Sequence, residues 1–271
     1  MQPRRPVSND VTATAANIET RPVRAVLSLR TAMNTAGYRP DDDWASNEYK
    51  TTTIALARTY GLTRLLEIGG GRHPLFTLEE AKANGFEMTI NDISSVELEN
   101  MKTPGFKTAC FDIAGDVSAV KKESFDLIYS HMVFEHVADV EHAWKNVYEL
   151  LAPGGVAVAY YPALYAMPFI INKLVPESLS SRLVQFLYRE REQNDKPKFP
   201  AYYDYCYGIA SRVEPMLRRV GFRDAAILPF YGHHYYDKIP VARQIGALVT
   251  RLAKRSNFTP LAAYAYAIVR K

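Results

Sequence analysis

The chain has few of the residues that mark several large classes of protein. Its 271 residues include only two cysteines, Cys110 and Cys206, too few for a disulfide framework or a zinc site. The net charge of +4 is too small to indicate a nucleic-acid partner without a local basic patch. No apolar run reaches the length of a membrane span, and no apolar signal segment follows Arg4 and Arg5. We therefore expect a cytoplasmic protein that binds no nucleic acid and no metal.

The most informative stretch is a short apolar run that ends in glycines. Residues 65–73 read Leu-Leu-Glu-Ile-Gly-Gly-Gly-Arg-His. Apolar residues without alternation are typical of a strand that is covered on both faces. The glycines at 69, 70 and 71 allow a tight turn and close approach of the backbone to a bound molecule. The pattern predicts a strand that delivers its carboxyl end to a nucleotide-like ligand.

Three classes of protein use such a turn, and the neighbouring residues separate them. A P-loop requires a Gly-Lys-Ser/Thr ending, which is missing here. The dinucleotide fingerprint requires a third glycine where this chain has Pro74, which disfavours a nicotinamide oxidoreductase. The Glu67 carboxylate would repel a pyrophosphate but would suit a ligand that carries an ammonium and a sulfonium group. S-adenosylmethionine is such a ligand.

Later strands of the predicted sheet also end at acidic residues. Residues 86–91 form a predicted second strand that ends at Asp92, about 20 residues past the glycines, the spacing of a ribose-binding acid. Residues 106–111 form a third strand that ends at Asp112, which could accept a hydrogen bond from an adenine amino group. Residues 125–130 and 155–161 are the predicted fourth and fifth strands.

Together these motifs resemble those of the class I S-adenosylmethionine-dependent methyltransferases, over about residues 45 to 161. The resemblance rests on Glu67-Ile-Gly-Gly-Gly71, Asp92, Asp112-Ile113, Phe125-Asp-Leu-Ile-Tyr-Ser130, Phe134-Glu-His-Val137 and Leu151-Ala-Pro-Gly-Gly155. It implies a doubly wound α/β fold with helices on both faces of a mostly parallel seven-stranded sheet. The implied strand order is 3-2-1-4-5-7-6, with the last strand antiparallel. It implies S-adenosylmethionine as cofactor, bound by Glu67, Gly69, Gly70, Gly71, Asp92, Ile93, Asp112, Ile113 and Ser130.

Outside the motifs, helical periodicity predicts a helix over residues 138–151 and another that Gly221 ends. Residues 225–229 and 263–269 are the predicted last two strands. We expect residues 1–20 to be mobile, 21–60 to form a helical cap, and 61–271 to form the methyltransferase domain. Cys110, in the third strand, is expected to be buried.

Two insertions, 162–207 and 231–260, are the candidates for acceptor recognition. The first opens with the apolar stretch 163–171, and the second contains a basic amphipathic helix with Arg243, Arg251, Lys254 and Arg255. Both features favour an amphiphilic partner, either a small-molecule or a glycan-type acceptor. The basic helix also indicates a weak contact with a membrane surface, although such a run is more often a solvated face.

The expected reaction is in-line methyl transfer to an acceptor oxygen, with His131, His136 or His233 as general base. Each histidine also has a structural interpretation, for example aromatic packing for His233. Three alternatives stay open: N-methylation of an amine, methylation of a lipid by a peripheral enzyme, and binding of the cofactor without catalysis.

Overall fold

The computed structural model describes residues 27–164, 200–233 and 240–271. The predicted mobile segment 1–20, most of the insertion 162–207 and residues 234–239 of the insertion 231–260 lie outside the described residues. The division into cap, domain and insertions therefore stays a prediction.

The described residues form a seven-stranded sheet with the order β3-β2-β1-β4-β5-β7-β6. Strands β1 to β5 pair in parallel, and β7 is antiparallel to both of its neighbours, β5 and β6. The predicted strand order and the antiparallel edge are confirmed. The strands are β1 (Arg64–Ile68), β2 (Glu87–Asp92), β3 (Lys107–Cys110), β4 (Phe125–His131), β5 (Leu151–Pro162), β6 (Asp224–Phe230) and β7 (Tyr264–Arg270).

Helices cover both faces of the sheet. Trp144 and Met216 are buried against one face, and Leu29, Tyr49 and Leu56 are buried against the other. Two apolar layers thus enclose the central strands, which explains why those strands are apolar without alternation. Within the described ranges, the α-helices are α1 (Leu29–Thr35), α2 (Asp42–Asn47), α3 (Tyr49–Tyr60), α4 (Leu78–Ala83), α5 (Ser95–Glu99), α6 (Val140–Leu150), α7 (Ala210–Val220) and α8 (Pro240–Arg255).

The boundaries of several elements differ from the prediction. Helix α6 begins at Val140 rather than at 138, because the Asp139 side chain accepts a hydrogen bond from the His142 amide and caps the helix. The predicted burial of Cys110 is wrong: Cys110 is exposed, because β3 is an edge strand whose side chains are largely open to solvent.

Among the described residues, none of the helices has the length and apolarity needed to cross a membrane.

Candidate functional site

The site is built at the edge of the sheet where the parallel strands end. Glu67, near the end of β1, is almost fully buried. Its carboxylate accepts a hydrogen bond of 2.8 Å from the Tyr129 hydroxyl and bonds of 3.0 and 3.1 Å from the Leu75 amide. Tyr129 is the register partner of Glu67 on β4, which places the two side chains side by side. The carboxylate is therefore held between the glycine turn and the next strand.

Burial decides the protonation of this carboxyl group. Desolvation raises the pKa of Glu67 to about 7, although the hydrogen bonds from Tyr129 and Leu75 and the charge of Lys50 act in the opposite direction. Around neutral pH, Glu67 is therefore poised between its neutral and charged forms. A cationic ligand beside it would favour the charged form.

The glycine turn packs directly against β2. The Gly70 amide donates to the Asn91 carbonyl at 3.0 Å, and Gly71 has a φ of +40°. A Cβ at Gly71 would lie 2.5 Å from Asp92 Oδ2, and one at Gly70 would lie 2.7 Å from a methyl carbon of Ile90. Side chains are sterically excluded from these two positions, because the backbone of the turn lies against the side chains of Ile90 and Asp92.

Asp92 and Ile93 stand next to the turn. Partial burial raises the pKa of Asp92, and its Oδ1 accepts a hydrogen bond of 2.9 Å from the Ser94 amide. The Ile93 side chain is 60 % exposed, unusual for a large aliphatic residue beside a polar turn. A carboxylate and an open aliphatic surface thus lie side by side at the end of β2.

The segment after β3 holds Asp112 and Ile113 in contrasting positions. Asp112 is exposed, and its Oδ1 accepts a hydrogen bond of 2.9 Å from the Ala114 amide. Ile113 is buried in the core, so its side chain is not open at the edge of the sheet. Its contribution to a ligand site would come from its backbone.

Two buried asparagines hold this segment from opposite sides. The Asn91 side-chain amide donates to the carbonyls of Ala109 and Phe111 at 3.0 and 2.9 Å. The Asn146 amide donates to the carbonyls of Ile113 and Gly115 at 2.8 and 2.9 Å. These four hydrogen bonds fix the backbone on both sides of Asp112.

Strand β4 ends with two candidate residues. Ser130 is buried, and its hydroxyl has no hydrogen-bond partner, whereas its carbonyl accepts a bond of 2.6 Å from the Tyr49 hydroxyl. His131 is exposed at one side, but its ring packs against Tyr49 and Tyr160 at centroid distances of 5.3 and 5.1 Å. The surrounding protein desolvates the imidazole and lowers the pKa of His131.

His136 lies in a short 3-10 turn that follows β4. Its Nδ1 lies 2.8 Å from the Pro200 carbonyl, and its Nε2 lies 3.9 Å from Glu135 Oε1. Glu135 is itself buried, with Oε2 lacking a hydrogen-bond partner, and desolvation raises the pKa of Glu135 to about 7. His136 thus has one ring nitrogen engaged by Pro200, in the described last part of the first insertion.

The third histidine is far from the other two. His233 follows β6, and it lines a small cavity with Gly246, Thr250 and Ala253 of α8. Strand β6 is four positions from β1 in the sheet order, roughly 19 Å at the usual strand spacing. The structure therefore brings His131 to the glycine turn and does not bring His233 there.

Sequence reasoning missed several residues of this site. Tyr129 could have been found, because the order 1-4 in the sheet places it beside Glu67. Tyr49, Asn91 and Asn146 gave no signal, since each contacts backbone atoms far away along the chain. Glu135 was read as part of a motif, but its burial depends on tertiary packing.

The comparisons with known proteins agree with this geometry. A family model described as "Methyltransferase domain" matches residues 23–203, which is more than half of the chain. The chain therefore belongs to the S-adenosylmethionine-dependent methyltransferase family, and its cofactor is S-adenosylmethionine, the methyl donor of that family.

Individual similarities are more distant. "Arginine-hydroxylase NDUFAF5, mitochondrial" from Danio rerio is 29 % identical over 104 residues, which are 38 % of this chain and 31 % of that protein. The chain thus matches about a third of that relative's length. The citrinin polyketide synthase CMeT domain has a TM-score of 0.50 at 14 % identity and covers 82 % of this chain and 52 % of that one, a likeness of fold alone. A methyltransferase from Archaeoglobus fulgidus has a TM-score of 0.49 at 18 % identity, covering 85 % of this chain and 100 % of that one.

The residues at the carboxyl edge fit the cofactor of the family. The turn at Gly70 and Gly71 leaves no room for side chains, so its backbone packs closely on Ile90 and on Asp92, the expected ribose-binding acid. Acidic groups at 67, 92 and 112 lie at or close to the ends of three neighbouring strands, a set of hydrogen-bond acceptors suited to an ammonium group, ribose hydroxyls and an adenine amine.

Proposed function

We propose that this protein transfers a methyl group from S-adenosylmethionine to an oxygen atom of a small-molecule or glycan-type acceptor. The observation that carries the proposal is the contact between the Gly71 backbone and the Asp92 carboxylate, flanked by the buried Glu67. Such an arrangement of a side-chain-free turn and two acids is suited to a cationic nucleoside, and it is poorly suited to a pyrophosphate.

Each acid has its own part in holding the cofactor. Asp92 keeps Oδ2 free of the Ser94 amide and would accept hydrogen bonds from the ribose hydroxyls. Ile93, which is largely exposed, would pack against the adenine ring, and Asp112 would accept from the adenine amino group. The negative charge of the ionised Glu67 carboxylate would attract the ammonium group of the methionine moiety.

The bound cofactor supplies an electrophilic methyl group for in-line displacement by the acceptor oxygen. The chain then has to remove the proton of the acceptor hydroxyl. His131 is suited to this, because desolvation lowers the pKa of His131 and keeps its imidazole neutral near pH 7. Its position on β4, one residue beyond the Ile68–Ser130 pair, sets it beside the glycine turn.

The other two histidines are less suited to act as the base. His136 donates its Nδ1 proton to the Pro200 carbonyl, which leaves Nε2 as its basic nitrogen, but Nε2 lies beside the buried carboxyl group of Glu135, 3.9 Å from Oε1. His233 lies beside α8, near the far edge of the sheet. We therefore assign the base to His131.

The test is methyl transfer from S-adenosylmethionine with an isotope-labelled methyl group, measured by mass spectrometry over a panel of hydroxylated and amine acceptors. A His131→Gln variant should lose about 10²-fold or more in the rate of transfer to a hydroxyl, with unchanged affinity for S-adenosylhomocysteine. His142→Gln, on the solvent side of α6, is the matched control and should keep the wild-type rate.

Four outcomes would contradict the proposal. A full rate in His131→Gln would remove this histidine as the base. Labelled products that appear only on nitrogen would indicate N-methylation. Tight cofactor binding with no transfer to any acceptor would indicate a binding protein, and a product heavier by one oxygen atom would indicate hydroxylation, the activity named for the Danio rerio relative.

A further inference from the structure

Helix α8 presents large aliphatic side chains to solvent along one stripe. Ile245, Leu248 and Leu252 are 54 %, 54 % and 57 % exposed. Their spacing of three and four residues places them on one side of the helix, which we call the outer stripe. The neighbouring side of the helix packs on the protein, where Ala253 is buried and Val249 lines the small cavity beside His233. Helix α8 thus has apolar residues both on the side that packs on the protein and on part of the side that faces solvent.

Basic residues lie along one side of the outer stripe. Helix α8 contains Arg243, Arg251, Lys254 and Arg255 and no acidic residue. All four are exposed, and Lys254 forms an ion pair with Asp41. At 3.6 residues per turn, Arg251 and Arg255 fall beside the outer stripe. An aliphatic stripe bordered by cations is complementary to an anionic lipid surface, whose acyl chains take up the aliphatic groups and whose phosphates attract the cations.

We propose that α8 binds the surface of anionic membranes, with the outer stripe inserted at the boundary of head groups and acyl chains. This inference goes beyond the proposed methyl transfer and does not depend on it. A second copy of the same helix is a poorer occupant, because pairing two α8 helices would bring like charges together. A nucleic acid would leave the aliphatic stripe without a partner.

The position of α8 in the fold determines which end of the sheet would face a membrane. The helix joins the end of β6 to the start of β7, and Phe230 pairs with Tyr264 at that edge of the sheet. The same edge carries the ends of β1 and β2, with Glu67 and Asp92. A membrane-bound α8 would therefore direct the candidate cofactor edge of the sheet, rather than the opposite edge, toward the lipid.

The test is co-sedimentation of the full chain with vesicles of phosphatidylcholine, with or without phosphatidylserine, at low and high salt. We expect binding to the anionic vesicles that weakens at high salt. Arg251→Gln with Arg255→Gln should reduce partitioning about 30-fold, since each cation near the surface contributes about fivefold. Replacing Ile245, Leu248 and Leu252 with glutamine should reduce it about 100-fold or more.

Matched controls lie near the opposite edge of the sheet. Lys107→Gln with Lys121→Gln removes the same charge from exposed positions at or before the starts of β3 and β4, and Leu27→Gln removes an aliphatic side chain that is 46 % exposed near the start of β6, where the Leu29 amide donates to Asp224. Both should bind the vesicles like the wild type, and thermal unfolding checks that all variants fold.

Two results would overturn the proposal. The first is wild-type binding that is equal for neutral and anionic vesicles, or equal to that of the α8 variants. The second is a dimer in sedimentation analysis that the Leu248→Gln variant dissociates, because the outer stripe would then be an interface between copies of the chain.

Discussion

Replacing Glu67 with glutamine should uncouple cofactor binding from proton release. Glu67 is buried, and its pKa is raised to about 7, so about half of the molecules carry a proton on this carboxyl group at pH 7. If the ammonium group of the cofactor binds beside the ionised form, binding must release that proton. Glutamine keeps the shape of the side chain but has no proton to release.

The size of the effect follows from the raised pKa. Binding at pH 7 should release about 0.5 proton per site from Glu67, falling toward zero above pH 8. Below pH 7 the affinity of the wild type should decrease by up to about tenfold per pH unit, because the proton competes with the ligand. The affinity of Glu67→Gln should be lower at pH 8, and its decrease toward low pH should be shallower.

Isothermal titration calorimetry with S-adenosylhomocysteine measures both quantities. The same titration in buffers of different ionisation enthalpy gives the number of protons released. The amino group of the ligand titrates equally with both proteins, so the difference between wild type and variant isolates Glu67. Equal proton release and equal pH dependence in the two proteins would refute the assignment of Glu67 to the cofactor.

Three further perturbations test the framework of the site. Desolvation raises the pKa of Glu135 to about 7, so the burial of this carboxyl group destabilises the fold increasingly as the pH rises from about 4.5 to 7. In urea denaturation, Glu135→Gln should therefore raise the free energy of unfolding by about 3 kcal/mol at pH 8 and change it little at pH 4.5. Gly71→Ala should abolish cofactor binding because of its contact with Asp92, whereas Gly85→Ala, with φ +71° and open space around it, should cost only about 1 kcal/mol of stability. Asn146→Ala should cost about 1–3 kcal/mol and speed amide hydrogen exchange at residues 113–115.

The sheet was predictable from local signals. Strands β1 and β4 are mostly apolar runs, β2 alternates apolar with polar residues between Gly85 and Asp92, and the strand order followed from the family resemblance. Cys110 was placed in the interior wrongly, because a short apolar segment does not distinguish an edge strand from a central one. The start of α6 was missed by two residues, because the cap at Asp139 outweighs the apolar periodicity.

The candidate site was only partly predictable, for a physical reason. Acids at strand ends are visible in the sequence, but whether each is buried depends on residues distant along the chain. Glu67 looks like an ordinary carboxylate until Tyr129 and Leu75 enclose it. Ile93 and Ile113 look alike in the sequence, yet one is open and the other buried. The fold alone separates the three candidate histidines.

The central claim is that the acids at the ends of β1, β2 and β3 hold a cationic sulfur nucleoside. Calorimetric titration of the wild type with S-adenosylmethionine, beside Asp92→Ala and a parallel titration with a nicotinamide dinucleotide, measures it directly. The account predicts saturable one-site binding of S-adenosylmethionine, severe loss of affinity in Asp92→Ala, and no heat with the dinucleotide. Absence of heat with S-adenosylmethionine, together with saturable binding of the dinucleotide, would contradict it.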